Sequence, residues 1–208
     1  MTLFSRSENR LRGDDVSGEY VRPDQHEYFM GIAMAVRRRA NCLGSRIGAL
    51  IVVKGRIVST GYNGTPENMP NCLDRGCHRC ANRDKYQSGT GYDLCICVHA
   101  EQNAIISAAR FGIAIEGSTL YSTMRPCFGC TKEMLQAKVT AVYYLHDWNH
   151  PDPAHKAEYE RLQTAFPGGI RRLEMVDPDA EWAIGKRVAA GDNDRRAYSE
   201  DEHGTQDH

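Results

Sequence analysis

The chain has 208 residues, 41% of them hydrophobic and 25% charged, with a formal net charge of −1. That composition describes one soluble globular domain with a well-buried core, and nothing in its near-neutral balance favours binding to long nucleic acid or anionic membrane. No apolar run approaches the roughly 18 residues that span a bilayer, and MTLFSRSENRLRGDD at the N-terminus lacks the apolar core of a secretory signal, so a cytoplasmic location is expected.

Residues 1–20 are polar and expected to be flexible. A helix is predicted from Pro23, a residue suited to a first turn, with Tyr28, Ile32, Ala35 and Val36 on one face and Arg37, Arg38 and Arg39 after it. Two β-rich runs follow, IGALIVV (47–53) and RIVSTGY (56–62), joined by Lys54-Gly55 as a hairpin. Residues 63–97 are rich in Gly, Pro, Asn and Cys without periodicity, and a loop of that length needs a restraint. HAEQNAIISAARFG (99–112) reads as a helix with Ala100, Ala104, Ile105 and Ala108 as its apolar stripe and Gly112 as its stop. STLYSTM (118–124) reads as a strand, CFGCTKEMLQAK (127–138) as a helix and TAVYYL (140–145) as a strand. HKAEYERLQTAF (155–166) reads as a helix, broken by Pro167-Gly168-Gly169 before a last strand at 170–176. The order α-β-β-α-β-α-β-α-β implies one α/β domain over 21–178, and the polar segment 179–208 is expected to be a disordered tail.

Eight cysteines in a reducing compartment point to metal binding or catalysis rather than disulfides. Two segments carry the chemistry: VHAEQNA (98–104) and RPCFGC (125–130). H-A-E followed by P-C-x-x-C is the signature of zinc deaminases acting on nucleobases. Cys127 and Cys130 can place two thiols on one side of a helix's first turn, where the helix dipole favours thiolates. His99 can supply an imidazole nitrogen. Three protein ligands leave one tetrahedral position open for water, the catalytic pattern for zinc. Glu101 projects differently from His99 and suits a proton shuttle rather than a ligand.

With these motifs the chain resembles the deoxycytidylate (dCMP) deaminases of the cytidine deaminase superfamily. The resemblance covers roughly residues 23–148 and also rests on CLGSRIGALIV, STGYNGTP, LCICVHAEQNAI and AARFGIAIEGSTLY. It implies a three-layer α/β fold with a mixed five-stranded sheet flanked by helices. It further implies zinc-dependent conversion of dCMP to dUMP for thymidylate supply, with dCTP and dTTP as effectors and a homo-oligomer, hexamer favoured. It places Asn63 of GYNGTP at the nucleotide sugar, Ala100 at the substrate, and Gly64 and Arg110 in regulation or the subunit interface. GYNG also reads simply as a turn after a strand, and Arg110 as a solvated charge. For the phosphate the basic candidates are Arg46, Lys54 and Arg125. Where the family often has two basic residues after its equivalent of Cys42, this chain has Leu43, Gly44 and Ser45.

The resemblance also implies a second, structural zinc held by Cys42, Cys72, Cys77 and Cys95, which would order the 63–97 loop. A local site of Cys72, Cys77, His78 and Cys80 is the competing assignment, and buried, unligated thiols the simplest one. His78, Cys80 and Cys97 are unassigned in the first scheme. Besides dCMP, the same fold could act on cytidine, a modified deoxycytidylate, guanine or a pterin precursor. A non-catalytic nucleotide sensor is the other alternative, and an intact Glu101 speaks against it. No polynucleotide partner is expected.

Overall fold

The structure is a computed structural model and describes residues 21–86, 90–150 and 152–184. The predicted flexible N-terminus, and the tail beyond residue 184, lie outside the described residues. Helix α1 (Gln25–Val36) is followed by strands β1 (Gly48–Val53) and β2 (Arg56–Tyr62), the short helix α2 (His78–Ala81) and helix α3 (Ala100–Arg110). Then come β3 (Thr119–Met124), α4 (Phe128–Gln136), β4 (Ala141–His146), α5 (Pro153–Gln163), β5 (Ile170–Arg172) and α6 (Ala180–Ile184). The sheet runs β2-β1-β3-β4-β5. The first two pairings are antiparallel and the last two parallel, so the sheet is mixed, as expected.

Strand alternation builds the two layers. From the inner strand β1, Ala49 and Ile51 point to one face and pack with Ala100, Ala104, Leu120, Met134 and Val142. Leu50 and Val52 point to the other, against Phe29, Met30, Ala33, Tyr121 and Leu145. A strand buried on both faces reads as a continuous apolar run, which is why GALIVV shows no polar alternation. The β1–β2 turn places Lys54 at φ 49° and Gly55 at φ 74°, the two left-handed residues of a tight hairpin whose twist matches its strands.

Three elements, α1, β5 and α6, differ from expectation. Pro23 lies before the first turn of α1 rather than in it, and Asp24 is the cap: its carboxylate accepts from the Glu27 N–H while the Asp24 N–H donates to Glu27, both at 2.8 Å. The buried face of α1 is Phe29, Met30 and Ala33, whereas Tyr28 is 53% exposed. The apolar content of this helix extends around its circumference, so periodicity left its orientation open. Strand β5 ends at Arg172 rather than at 176. The chain leaves the sheet there to carry Asp177 to Arg37, a bidentate ion pair with Arg37 fully buried and His146 on the same carboxylate at 2.6 Å. Finally, α6 lies within the segment expected to be a tail. Ala183 is buried, and the Arg46 N–H donates to its carbonyl at 2.7 Å.

Candidate active site

The site forms where the N-termini of α3 and α4 meet beyond the carboxyl ends of β3 and β4. His99 caps α3 in an extended conformation, and its N–H donates to Gln102 Oε1 at 2.9 Å. The Gln102 amide donates in turn to Glu133 on α4, also at 2.9 Å, tying the two helices together. Cys127 caps α4, where its carbonyl accepts from both the N–H and the hydroxyl of Thr131 at 2.9 and 2.8 Å. Cys130 stands in the first turn. These caps bring His99 Nδ1 to 3.4 Å from both Cys127 Sγ and Cys130 Sγ.

A tetrahedral zinc with ordinary Zn–N and Zn–S bonds would set N···S edges at about 3.6 Å, so the three donors fit such an ion. The local electrostatics suit it as well. Hydrogen bonding from Cys130, reinforced by His99, pulls the Cys127 thiol down to about 4 against the effect of burial. Contact with Cys127, together with burial, pushes the Cys130 thiol up. Burial lowers the basicity of His99, but contact with Cys127 outweighs it and raises the imidazole to about 9. A thiolate is the form a soft metal takes.

Glu101 is outside this donor group. It is 4% exposed and accepts a 2.7 Å hydrogen bond from Ser122 Oγ. Burial raises the carboxyl's pKa, and the nearby His99 opposes the rise. Ser122 is supplied by β3 alternation: Leu120 and Ser122 face α3, while Tyr121 faces α1. The helix can lie this close to the sheet because residue 61 is glycine. A Cβ there would stand 2.1 Å from the Ala100 carbonyl and 2.4 Å from the Ala104 nitrogen.

A cleft of about 310 Å³ opens on the three donors. Its walls are aromatic, with Tyr92 edge-on to His99 and Trp148 edge-on to Tyr159. The Tyr159 hydroxyl donates to the Pro126 carbonyl, fixing the turn before Cys127. His150 and His155 stand at the same cleft, and Asp152 between them caps α5.

Other predicted residues lie elsewhere. Asn63 is 6% exposed and its amide is engaged on both sides, accepting from the Ile47 N–H and donating to the Ser45 carbonyl at 2.8 Å each. Ala100 is buried against β2 and, like Asn63, does not line the cleft. Arg46 donates to the Trp182 carbonyl at 2.7 Å and stacks on that indole, away from the cleft. Gly64 bridges to Val98 and is packed against Asn41. Arg110 is exposed and 4.0 Å from Glu67. Arg125 is held by Gln163, Asn149 and Asp147. Sequence reasoning missed Ser122, Gln102, Tyr92 and Trp148. Strand alternation could have suggested Ser122, whereas Trp148 follows a strand end and carried no signal.

The other six cysteines converge as a separate buried cluster, all with free thiols. The expected quartet of Cys42, Cys72, Cys77 and Cys95 is not one of its groupings. Cys42 and Cys72 gather with Cys80 and Cys97, and Cys77 and Cys95 gather with the same Cys80 and Cys97. The short helix α2 causes this by turning Cys80 inward beside Cys77. His78 on that helix is exposed and belongs to no donor group among the described residues, which removes the local alternative.

The family model "Cytidine and deoxycytidylate deaminase zinc-binding region" matches residues 23–146. The deoxycytidylate deaminase of Saccharomyces cerevisiae is 35% identical over 136 residues, 65% of this chain and 42% of that protein. The deoxycytidylate deaminase of Mycobacterium phage D29 is 37% identical over 131 residues, 59% of this chain and 95% of that protein. The chain thus spans under half the length of the yeast relative and nearly all of the phage one. Among solved structures, the dCMP deaminase of cyanophage S-TIM5 in complex with dCMP and dUMP aligns with a TM-score of 0.55 at 26% identity. That alignment covers 74% of this chain and 100% of the phage chain.

Proposed function

The chain belongs to the cytidine and deoxycytidylate deaminase family, and from that premise we propose that it deaminates dCMP hydrolytically to dUMP and ammonia. The carrying observation is a buried carboxyl, Glu101, held by Ser122 beside a three-donor metal site that opens on a cleft. His99, Cys127 and Cys130 would hold the zinc. When bound, zinc supplies acidification of a water, making a nucleophile available at neutral pH. Glu101 would take one proton of that water and pass it to the pyrimidine ring nitrogen as the oxygen adds to the amine-bearing carbon; it would then take the second proton from the added hydroxyl and pass it to the amine, which leaves as ammonia when the C–N bond breaks and the carbonyl forms. Its raised pKa suits a group that must both accept and return a proton. Ser122 keeps the carboxyl aimed, and the aromatic walls exclude bulk water and offer faces for a flat base to stack on.

The choice of dCMP is supported by the names of the yeast and phage relatives and by the nucleotides in the cyanophage complex. A structural zinc at the six-cysteine cluster, dCTP and dTTP as effectors, assembly as a homo-oligomer and a cytoplasmic location complete this reading. Ammonia release across free bases, nucleosides and mono- to triphosphates, with and without dCTP and dTTP, tests it. Turnover of dCMP above the others is expected. Turnover of cytidine or guanine with dCMP untouched overturns it.

A further inference from the structure

The six-cysteine cluster has more ligands than one structural zinc can take. A single tetrahedral ion needs four sulfurs, and the structure supplies two overlapping sets of four that have two members in common. Two tetrahedra sharing an edge have six corners, so the arrangement has the connectivity of a two-metal thiolate cluster. We propose that this cluster holds two zinc ions, with Cys80 and Cys97 each bridging both, Cys42 and Cys72 completing the first site, and Cys77 and Cys95 the second. The proposal rests on the reading above that the cluster binds metal, and it changes both the number of ions and the ligand set.

The distances fit. Zn–S bonds of ordinary length set the edges of a tetrahedron at about 3.8 Å. Cys42 and Cys80 sulfurs are 4.0 Å apart, and Cys95 is 3.7 Å from both Cys77 and Cys80. These separations are far beyond a disulfide bond of about 2.0 Å, and all six thiols are free. A single ion in either set would leave two cysteines of the other set as unused thiols. For the first set these would include Cys77, which is 0% exposed. Each set is made of sulfur alone, the donor soft divalent ions prefer.

The surroundings suit anionic sulfur. The Leu43 N–H donates to Cys72 Sγ and the Gly44 N–H to Cys42 Sγ, each at 3.3 Å. Six thiolates with two dications leave a net charge of −2, and the cysteines still protonated release their protons as the cluster fills. Two guanidinium groups offset that charge: Arg83 donates to the Leu43 carbonyl, and Arg46 lies within electrostatic reach of both Cys42 and Arg83. The cluster joins the chain after α1, the irregular loop and the segment two residues before His99. Cys95 and Cys97 also line the cleft. It therefore braces one cleft wall and the entry to α3.

Metal counting by native mass spectrometry on the full chain, purified reduced with zinc supplied, tests the number. Three zincs per chain are expected, falling to two in a Cys127→Ala/Cys130→Ala variant. Two in the parent and one in the variant overturn the two-metal cluster and leave the proposed active-site metal standing. An unchanged count in the variant instead overturns the active-site metal reading. Bridging has its own readout: in fully cobalt(II)-substituted protein, the magnetic moment per cobalt should fall as the last equivalents bind, because sulfur bridges couple the two spins. Independent moments throughout would overturn the bridging assignment. Cys80→Ser should lose or loosen both cluster ions and Cys42→Ser only one. The cobalt measurement needs neither variant to fold.

Discussion

Two thiol-rich regions lie side by side in this protein and are built on opposite plans. One has three donors on two helix starts, an open side facing a cleft, and a buried carboxyl that is not a ligand. The other has twice as many donors, all sulfur, drawn from the turn after α1, the short helix α2 with the loop around it, and the run before His99, and it reaches the cleft only through Cys95 and Cys97. Density of ligand-type residues therefore marks the brace, and the sparse site is where an acid–base group stands within reach. Coordination that is full leaves no position for water, while coordination that is short by one leaves room for chemistry.

The comparison can be broken most directly at Glu101. Glu101→Gln should lower kcat by about 10³-fold, within the range of a general acid–base group, while the metal count stays that of the parent. Loss of metal in this variant would place Glu101 among the ligands and erase the distinction between the two regions.

Gly61→Ala attacks the scaffold of the open site alone. The added carbon meets helix backbone at 2.1 Å, so the start of α3 must shift, and displacement of that order costs about 10²-fold in activity. Zinc in the six-cysteine cluster should be unaffected. A loss of cluster metal together with activity would show that the two regions are one mechanical unit.

A buried ionic group outside both centres gives a baseline. Burial would raise the Asp177 carboxyl, but hydrogen bonds from Arg37 and His146 outweigh it and lower the pKa to about 2. A folded-state pKa below the unfolded one stabilises above the unfolded value, and the benefit disappears as pH falls through the folded value. Asp177→Asn should therefore be less stable than the parent by about 2 kcal/mol at neutral pH. The gap should close between about pH 4 and pH 2, read by denaturant titration. Activity per folded molecule should not change. A gap that persists at pH 2 would mean the ion pair is not its source.

The smallest effect is expected from Ser122→Ala, which removes a neutral hydrogen bond worth about 1 kcal/mol. A fall in kcat of about five-fold with KM unchanged is expected, together with a shifted acidic limb of the pH–rate profile. Ser122→Thr, which keeps the hydroxyl, should restore the profile. A change in KM alone would make Ser122 a packing residue.

Much of this was legible in the chain because it is local. The strands at 48–53, 56–62 and 119–124 followed from β-rich runs and a two-residue turn. His99, Cys127 and Cys130 followed from spacing within single helix turns. The face of α1 was legible in part: Ile32 and Val36 pack against the core as their spacing implies, but only the sheet beneath decides that Phe29 and Met30 are covered and Tyr28 is not. For Asn63 and Arg46 the structure adds backbone partners that the sequence did not show. An amide and a guanidinium are suited to ligands and to backbone alike, and the backbone carbonyls of Ser45 and Trp182 reached them first.

By itself the sequence determined which atoms can serve as soft donors and which helix starts carry them, because helix geometry converts spacing into direction without reference to the rest of the molecule. It also determined that the 63–97 segment needs fastening, since nothing periodic holds it. How the six cysteines group together was decided only by the tertiary structure. Irregular backbone has no period from which to infer direction, so partners far apart in sequence are set by the path of the loop around them. That path turns Cys80 and Cys97 to the centre and leaves His78 facing out.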